Sequence, residues 1–335
     1  MKITVAGRSQ EMRALWYEAR EVIMIDQRLL PNTFKLVRFT KCSEVAASIK
    51  DMTVRGAPAI GVAAAYGMLL ATREGMDLEE AASILKATRP TAHDLFFAVD
   101  SMLEAVRSGK DPEKAAITYA DSIVEKCRLI GEYGEPLIKD GANIMTHCNA
   151  GALATVDYGT ALAPMRVARN KGKKMFVYVS ETRPRLQGMK LTAYELLNEG
   201  IPHAIISDGA SGHFMRKGVD VIIVGADRIA ANGDFANKIG TYEKAVLAKE
   251  LGIPFYTAAP ISTFDFTIDS GTEIPIEDRN EEEVTMIDGH RIAPEGCRAL
   301  NPSFDMTPNR YVTGIITEIG VIRPNEVGKV RRMLQ

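Results

Sequence analysis

The residues of this chain that are best suited to chemistry follow short apolar runs in its second half. The apolar runs are Ile144–Met145, Phe176–Val179, Ile205–Ile206 and Val221–Val224. The polar junctions that follow them read Thr146-His147-Cys148-Asn149, Ser180-Glu181-Thr182-Arg183, Ser207-Asp208 and Gly225-Ala226-Asp227-Arg228. Helix-like segments separate the runs, which is typical of a parallel sheet with crossover helices. Because parallel strands end at one edge of the sheet, where ligands bind, a thiol, several carboxylates and two arginines are predicted to share one cleft.

Cys148 supplies the thiol of this predicted cleft. Most lone cysteines are small buried hydrophobic residues, and that structural role is the alternative to a catalytic one. The position at the functional edge of the sheet favours chemistry. The small-residue turn 149–152 is also predicted to lead into a helix, whose N-terminus would lower the pKa of the thiol.

Asp227 follows the most hydrophobic strand of the chain, Val221–Val224. A cap of a helix or turn is the structural interpretation of this residue. The functional interpretation is a carboxyl group in an apolar pocket. Loss of hydration would raise the pKa of such a group, so it would stay protonated and serve as a general acid.

Three segments are predicted to bind an anion such as phosphate. Arg55 and the backbone amides of Gly56 and Ala57 precede a helix of small residues, and Arg89 stands before another helix start at Pro90-Thr91. The polar loop 232–240 is predicted to enter a helix with Lys238 near its start. Close helix packing and ordinary turn formation are the structural alternatives. Under the anion-binding interpretation, Arg55 and Arg89 of the first half would face the cleft of the second half.

The first 138 residues are predicted to form one domain and residues 139–335 another. In the first, Glu21–Leu30 and Phe34–Thr40 flank the turn signal Pro31-Asn32 and suggest a hairpin. Helices are then predicted from a cap at Ser43 to Met52, over Ala59–Thr72 with Pro58 in the first turn, over Leu78–Ala87 and Thr91–Arg107, and from Asp111-Pro112-Glu113 to about Ile138. The fold class is therefore α/β, with a small antiparallel sheet and a helical bundle before a doubly wound parallel sheet.

The strand–helix alternation of the second domain continues through Pro254–Ala258 and ends with Tyr311–Thr317. Between them, Phe264–Pro308 shows no clear periodicity and carries several prolines and an acidic run. An irregular segment of this length is often a lid or an interface arm, and a solvated insertion is the equal alternative.

Composition narrows the class of protein. The 335 residues carry a net charge of -2, which gives no electrostatic case for nucleic acid or a membrane surface. The four cysteines form no CxxC pair, so neither a zinc site nor a disulfide framework is expected, and His147 and His203 are expected to be structural. Neither GxGxxG nor GxxxxGK[ST] occurs, so no nucleotide cofactor is expected. No signal peptide or membrane span is expected, and the cytoplasm is the expected location.

The same segments resemble the methylthioribose-1-phosphate isomerase family over nearly the whole chain. The matching motifs are Arg55-Gly56-Ala57-Pro58-Ala59-Ile60-Gly61, Thr146-His147-Cys148-Asn149-Ala150-Gly151, Glu181-Thr182-Arg183-Pro184 with Gln187-Gly188, Gly225-Ala226-Asp227-Arg228-Ile229, Asn232-Gly233-Asp234 through Tyr242, and Asn301-Pro302-Ser303-Phe304-Asp305 with Thr307-Pro308. The resemblance implies a Rossmann-like second domain and a homodimer.

The resemblance also implies site residues and an activity. The catalytic pair of the family falls on Cys148 and Asp227, and its substrate-binding positions fall on Arg55, Gly56, Ala57, Arg89, Gln187, Asn237 and Lys238. The implied reaction is the isomerisation of 5-methylthioribose 1-phosphate to 5-methylthioribulose 1-phosphate, without metal or organic cofactor. Two alternatives remain within the superfamily: a ribose-1,5-bisphosphate isomerase, for which no extra basic cluster is visible, and a regulatory subunit of the initiation factor 2B type, which generally lacks the catalytic pair.

Overall fold

The computed structural model describes residues 1–5, 7–89 and 92–334. Its helices are Cys42–Lys50 (α1), Ala57–Glu74 (α2), Leu78–Lys86 (α3), His93–Arg107 (α4), Pro112–Gly134 (α5), Ala163–Asn170 (α6), Ala193–Asn198 (α7), Ser211–Gly218 (α8), Thr241–Glu250 (α9), Glu282–Thr285 (α10) and Val327–Leu334 (α11). Its strands are Lys2–Val5 (β1), Arg8–Glu11 (β2), Leu15–Glu18 (β3), Glu21–Ile25 (β4), Leu36–Phe39 (β5), Ala142–Thr146 (β6), Met175–Ser180 (β7), His203–Ile206 (β8), Val221–Gly225 (β9), Arg228–Ala230 (β10), Phe235–Lys238 (β11), Phe255–Ala258 (β12), Phe264–Asp265 (β13), Met286–Ile287 (β14), His290–Arg291 (β15), Phe304–Thr307 (β16), Gly314–Thr317 (β17) and Gly320–Ile322 (β18). No helix within these ranges is both long and apolar enough to cross a membrane.

The first part of the chain packs α1 to α5 against small antiparallel sheets. The predicted hairpin is confirmed, since β4 pairs with β5, but residues 26–35 connect the two strands in place of a tight turn at Pro31-Asn32. Helix α2 is buried on all sides over 57–71 because this segment has small or apolar residues on every face. A Cβ on Gly61 would lie 3.0 Å from the carbonyl oxygen of Asp94 in α4, so the small residues do serve close helix packing.

The helix boundaries agree with most of the sequence signals. Pro58 lies in the first turn of α2, and the side chain of Asp111 caps α5 by accepting the backbone N–H of Lys114. Ser43 does not cap α1, which begins one residue earlier, after Lys41. Helix α5 ends at Gly134 and not near Ile138, because Pro136 lacks the N–H that would continue it. The predicted helix start at Pro90-Thr91 lies outside the described residues.

A seven-stranded sheet dominates the second part of the chain. Its strand order is β18-β17-β12-β9-β6-β7-β8, and the pairs from β17 to β8 are parallel while β18 is antiparallel. Numbered along the chain, the parallel strands follow the order 6-5-4-1-2-3, which is that of dinucleotide-binding doubly wound folds. The order reverses between β6 and β9, so ligand binding is expected at the carboxyl ends of these two strands.

Alternating residues of the sheet fill two cores, one on each face. Val221 and Ile223 of β9 pack in one cluster, and Ile222 and Val224 pack in the other. This burial on both faces explains why the central strands are continuously apolar in the sequence.

A second sheet, of order β13-β10-β11-β16, lies beyond the end of β9. The segment 232–240 was predicted to be a loop that enters a helix, and this is wrong in part. Residues 235–238 form β11, which pairs with β10 in a hairpin and with β16 on its other side, and α9 begins only at Thr241. The stretch Phe264–Pro308 contains short elements, and its last strand, β16, ties it to this sheet.

Candidate active site

One cavity, with an empty volume of about 660 Å³, opens at the point where the strand order reverses. All nine residues singled out in the sequence line it: Arg55, Gly56, Ala57, Arg89, Cys148, Gln187, Asp227, Asn237 and Lys238. The first four come from the helical half of the chain and the other five from the half that contains the large sheet. The cavity therefore lies between the two halves.

Cys148 follows the end of β6 in a left-handed backbone conformation, with φ of 65°. Its N–H donates to Thr182 Oγ1 (2.9 Å), and its carbonyl accepts from Thr192 Oγ1 (2.7 Å). The predicted helix start after Cys148 is wrong, because only a short 3-10 turn at 152–154 follows. Burial raises the pKa of the thiol, and the positive charge of Arg55 opposes this shift only in part.

Asp227 follows the end of β9, the neighbour of β6. Its N–H donates to the carbonyl of Ala236 (2.8 Å), which fixes the backbone beside the β10–β11 hairpin. Burial raises the pKa of the carboxyl group, while the charges of Lys238 and Arg89 lower it to a smaller extent. The direction is the one expected for a carboxyl that stays protonated as a general acid.

Arg55 is anchored by the residue that follows Cys148. Its Nη1 donates to the carbonyl of Asn149 (2.9 Å), and its Nη2 also bonds the side chain of Asn149. Asn149 Nδ2 in turn donates to Glu195 Oε1 (2.9 Å), and Arg55 Nε donates to Gln27 Oε1 (3.1 Å). This buried network fixes the guanidinium at the cavity wall.

Gly56 allows the entry to α2 to approach this network closely. Its φ is 100°, and a Cβ at this position would lie 2.5 Å from backbone atoms of Ala154. Gly56 and Ala57 both line the cavity at the N-terminus of α2, where backbone N–H groups favour anions.

Asn237 and Lys238 are the last two residues of strand β11, and both line the cavity. Lys238 is 5% exposed; its Nζ donates to the carbonyl of Ser303 (2.7 Å) and lies 4.6 Å from the ring centre of Phe304. Burial lowers the pKa of this ammonium group to about 8. Asn237 Nδ2 donates to Thr241 Oγ1 (2.9 Å), which leaves its carbonyl oxygen for a ligand.

Two residues that line the cavity have polar side-chain atoms whose hydrogen-bonding capacity is unsatisfied. Arg89 Nε and Gln187 Oε1 are buried and have no hydrogen-bond partner among the described residues. The ion-pair contact of Arg89 is with Glu277, at 3.9 Å between Nη2 and Oε2. A bound polar ligand would supply the missing partners.

Three further residues of this site were not predicted from the sequence. Asn149 orients Arg55, and Arg279 and Phe304 line the cavity from the stretch that lacks periodicity. Asn149 belongs to a polar junction after an apolar run, and Phe304 belongs to a motif of the family resemblance, so both positions already gave a signal. Arg279 gave none, since a single arginine in an irregular segment carries no positional information.

His147 has the structural role that was expected. It is 1% exposed, its Nε2 is 2.8 Å from the carbonyl oxygen of Ile239, and burial lowers the pKa of the ring to about 3. Within residues 1–5, 7–89 and 92–334, no cluster of three or more His, Cys, Asp or Glu residues could hold a metal ion.

Two side chambers adjoin the main cavity. The first has an empty volume of about 440 Å³, shares Gly56, Ala57, Arg89, Asp227 and Phe304 with the main cavity, and adds the mainly apolar residues Ile60, Ala92, Arg228, Ala236, Ile274 and Pro275. The second, of about 500 Å³, is lined by Gln27, Arg28, Met52, Arg55, Arg185, Gln187, Lys190 and Leu191. One chamber is thus suited to an apolar group and the other is rich in cationic side chains.

The chain belongs to the initiation factor 2 subunit family, whose sequence pattern matches residues 53–324. A protein of Roseiflexus castenholzii named methylthioribose-1-phosphate isomerase is 50% identical to this chain, over 97% of this chain and 99% of that protein. The crystal structure of 5-methylthioribose 1-phosphate isomerase from Pyrococcus horikoshii OT3 superposes with a TM-score of 0.88 at 45% identity and covers 97% of this chain and 96% of its own. The crystal structure of translation initiation factor eIF-2B, subunit delta, from A. fulgidus gives a TM-score of 0.85 at 41% identity, over 97% of this chain and 99% of its own.

Proposed function

We propose that this chain is an aldose–ketose isomerase that converts 5-methylthioribose 1-phosphate into 5-methylthioribulose 1-phosphate in methionine salvage. The observation that carries the proposal is the meeting of Cys148, Asp227 and several cationic side chains in one buried cavity at the switch point of the sheet. Two relatives named methylthioribose-1-phosphate isomerase, which are 49% and 50% identical to this chain over 96% and 97% of its length, support the proposal.

The substrate poses a specific problem, because its anomeric carbon carries a phosphate and the ring cannot open as a free hemiacetal does. We assign Asp227 as the general acid that protonates the ring oxygen while the bond from that oxygen to C1 breaks. Burial supports this role, since it raises the pKa of the carboxyl, which is the direction that favours the protonated form. The phosphate stays on C1 throughout.

After ring opening, the hydrogen on C2 must move to C1, either as a proton through an enol or directly as a hydride. The proton of the C2 hydroxyl leaves as the C2 carbonyl forms, and this loss balances the proton that Asp227 gave to the ring oxygen. We assign Cys148 as the base of the proton route or as the group that stabilises the transition state of the hydride route. Burial raises the pKa of Cys148, so the thiol holds its proton in the empty site at neutral pH. Arg55, which opposes that shift, would stabilise the thiolate if it forms.

We assign phosphate binding to Arg55, Arg89, Lys238 and the amides of Gly56 and Ala57. Cationic side chains and the N-terminus of α2 suit a phosphate dianion, and binding energy from this group positions the reacting carbons. Gln187 and Asn237 are assigned to sugar hydroxyls. The buried Oε1 of Gln187 supports this, because it has no hydrogen-bond partner within the part of the chain that the structure describes. The proposed chemistry uses no metal or organic cofactor.

The two side chambers favour the methylthio sugar over ribose 1,5-bisphosphate. The apolar chamber touches Asp227 and offers a place for a methylthio group. The cationic chamber was not predicted from the sequence, and a second phosphate would need an excess of positive charge there. The charges of its rim cations are balanced by carboxylates: Arg28 pairs with Asp26 and Asp51, Arg185 with Glu283, and Lys190 with Asp288.

We further propose that the protein is a homodimer in the cytoplasm. We also propose that each chain has two domains, residues 1–138 and residues 139–335. The resemblance supports the dimer, and light scattering after size-exclusion chromatography tests it. A mass equal to one chain at micromolar concentration would contradict it.

The experiment that tests the function is turnover by the purified protein of 5-methylthioribose 1-phosphate and of ribose 1,5-bisphosphate, with ketose formation as the readout. We expect a clear preference for the methylthio sugar. Preference for the bisphosphate would assign the same chemistry to the other sugar. Turnover of neither would favour the regulatory alternative, to which the relative named eIF-2B subunit delta belongs by its name.

A further inference from the structure

The irregular stretch Phe264–Pro308 brings Arg279 to the cavity, and the proposed function gives this residue no role. Its side chain lines the main cavity and is only 8% exposed. The guanidinium carbon lies 5.6 Å from the ring centre of Phe304, a ring that also contacts Lys238. A buried cation in this place requires an explanation, because removing a charge from water is costly unless it is paired.

The backbone around Arg279 is held at two points. The N–H of Arg279 donates to the carbonyl of Asn301 (2.9 Å), and the N–H of Ser303 donates to the carbonyl of Glu277 (2.8 Å). Phe304 begins β16, which pairs with β11 directly opposite Lys238. Arg279 is therefore fixed relative to a predicted ligand of the phosphate.

Glu277 orients the guanidinium of Arg279 but does not saturate it. Arg279 Nε and Nη2 donate to the two carboxylate oxygens of Glu277 at 3.2 and 3.3 Å. A guanidinium has five N–H groups, so those on Nη1 remain for another acceptor. The same carboxylate lies 3.9 Å from Nη2 of Arg89, whose Nε is buried without a hydrogen-bond partner among the described residues.

The charges around this end of the cavity do not balance. Arg89, Arg279 and Lys238 meet here, and the carboxylate of Glu277 faces two of them. Asp227 carries no negative charge in the protonated form that the proposed reaction requires. A bound dianion would neutralise the excess and fill the free N–H positions, and guanidinium pairs bind phosphate in this way.

We infer that Arg279 is a further phosphate-binding residue, and that it acts with Arg89 as a guanidinium pair oriented by Glu277. The inference rests on the proposed function in that the phosphate is the one on C1 of the sugar. The irregular stretch then has a function of its own, since it completes the phosphate site from a distant part of the chain.

The test compares R279Q and R279K with the matched control R298Q. Arg298 lies on the same stretch and pairs with Glu281, and its side chain is 86% exposed. The readouts are the dissociation constant of inorganic phosphate by calorimetry, and KM and kcat for 5-methylthioribose 1-phosphate. We expect R279Q to weaken phosphate binding and raise KM by about tenfold or more, the loss of a charge-assisted hydrogen bond, with a smaller effect on kcat. R279K should recover part of the loss, and R298Q should match wild type within twofold.

A phosphate dissociation constant and a KM in R279Q within twofold of wild type would overturn the inference, even if R279Q melts earlier, because that result describes a purely structural residue. If R279Q does not fold, wild-type values in R279K would overturn it, since a lysine cannot reproduce the fork geometry. If wild type does not turn over the sugar but R279Q still weakens phosphate binding, the proposed function and the assignment to the C1 phosphate fail, while the role of Arg279 in binding a phosphate group stands. Wild type that neither turns over the sugar nor binds phosphate would overturn both.

Discussion

At the scale of single residues, Asp227 and Cys148 meet the same environment and are proposed to use it differently. Burial raises the pKa of both groups, so both hold their protons more tightly than in water. A general acid such as Asp227 must carry a proton before the reaction, whereas Cys148 must lose its proton before it can act as a base. The cations Arg55 and Lys238 therefore matter for Cys148, because they favour its thiolate, as does the backbone hydrogen bond from Asn149.

This difference leads to a prediction for the catalytic pair. Asp227→Asn should keep the fold but lower kcat by at least about 10²-fold, because an amide cannot donate an acidic proton. Cys148→Ser should lower kcat by about 10²-fold or more. The exposed residues Asp269 and Cys297 provide matched controls, since Asp269→Asn and Cys297→Ser change the same groups away from the site. Steady-state assays decide: kcat within twofold of wild type in either site variant would remove that residue from the mechanism.

Lys238 gives a prediction for pH dependence. Burial lowers the pKa of its ammonium group to about 8, and the charged form exists below that pH. If Lys238 binds the phosphate, kcat/KM should fall as pH rises through about 8, since kcat/KM reports the free enzyme. Lys238→Arg should move this descending limb to higher pH, because a guanidinium stays charged. A pH profile of kcat/KM with the same limb in both proteins would contradict the assignment.

At the scale of elements, the turn into α2 positions both a cation and two amides. Gly56→Ala should destabilise the protein by at least about 2 kcal/mol and lower kcat/KM at least tenfold, because its Cβ would meet the backbone of Ala154 and the residue has φ of 100°. Gly75, at the other end of α2, also has positive φ, but apart from its own neighbours in the chain no described atom lies within 4 Å of its Cβ position. Gly75→Ala should therefore lower the free energy of unfolding by about 1 to 2 kcal/mol, the strain of a left-handed backbone at a residue with a Cβ, and leave kcat/KM unchanged. Chemical denaturation and kinetics of the two variants test this; equal losses of activity would contradict it.

The sequence predicted those elements whose pattern is local. The apolar runs of the parallel sheet and the polar junctions after them follow from burial on both faces, so the positions of Cys148 and Asp227 at one edge were predictable. The predicted helix after Cys148 was wrong because small residues 149–152 suit a tight turn as well as a helix. Strand β11 was missed because its residues, Phe-Ala-Asn-Lys, do not alternate in polarity although all four are buried.

The position of Arg279 at the cavity could not be predicted from the sequence, for a different reason. Its place in the cavity depends on the pairing of β16 with β11, a contact between segments about 65 residues apart, as in Lys238 opposite Phe304. No local periodicity encodes such a pairing. Residues delivered to a site by irregular segments can thus be found only once the partner strands are known.

At the scale of the whole molecule, the cavity joins two parts of the chain that already contact each other. Asp94 of α4 is fully buried and accepts hydrogen bonds from Ser262 Oγ (2.9 Å) and Thr263 Oγ1 (3.0 Å). The cationic side chains at the site come from both parts. A phosphate bound between them would therefore stabilise the two parts together and not one of them alone.

Inorganic phosphate should raise the melting temperature of the protein, and this rise should need cations from both parts. At one hundred times the dissociation constant, binding to the folded state adds about 2.7 kcal/mol to the free energy of unfolding. Arg55→Gln and Lys238→Gln should each remove most of the shift, since one residue belongs to the helical part and the other to β11. Arg298→Gln, on an exposed side chain, should keep it. Scanning calorimetry with and without phosphate measures the effect. A shift lost in only one of the two site variants would show that phosphate binds to one part alone, and the proposed site between the two would then be wrong.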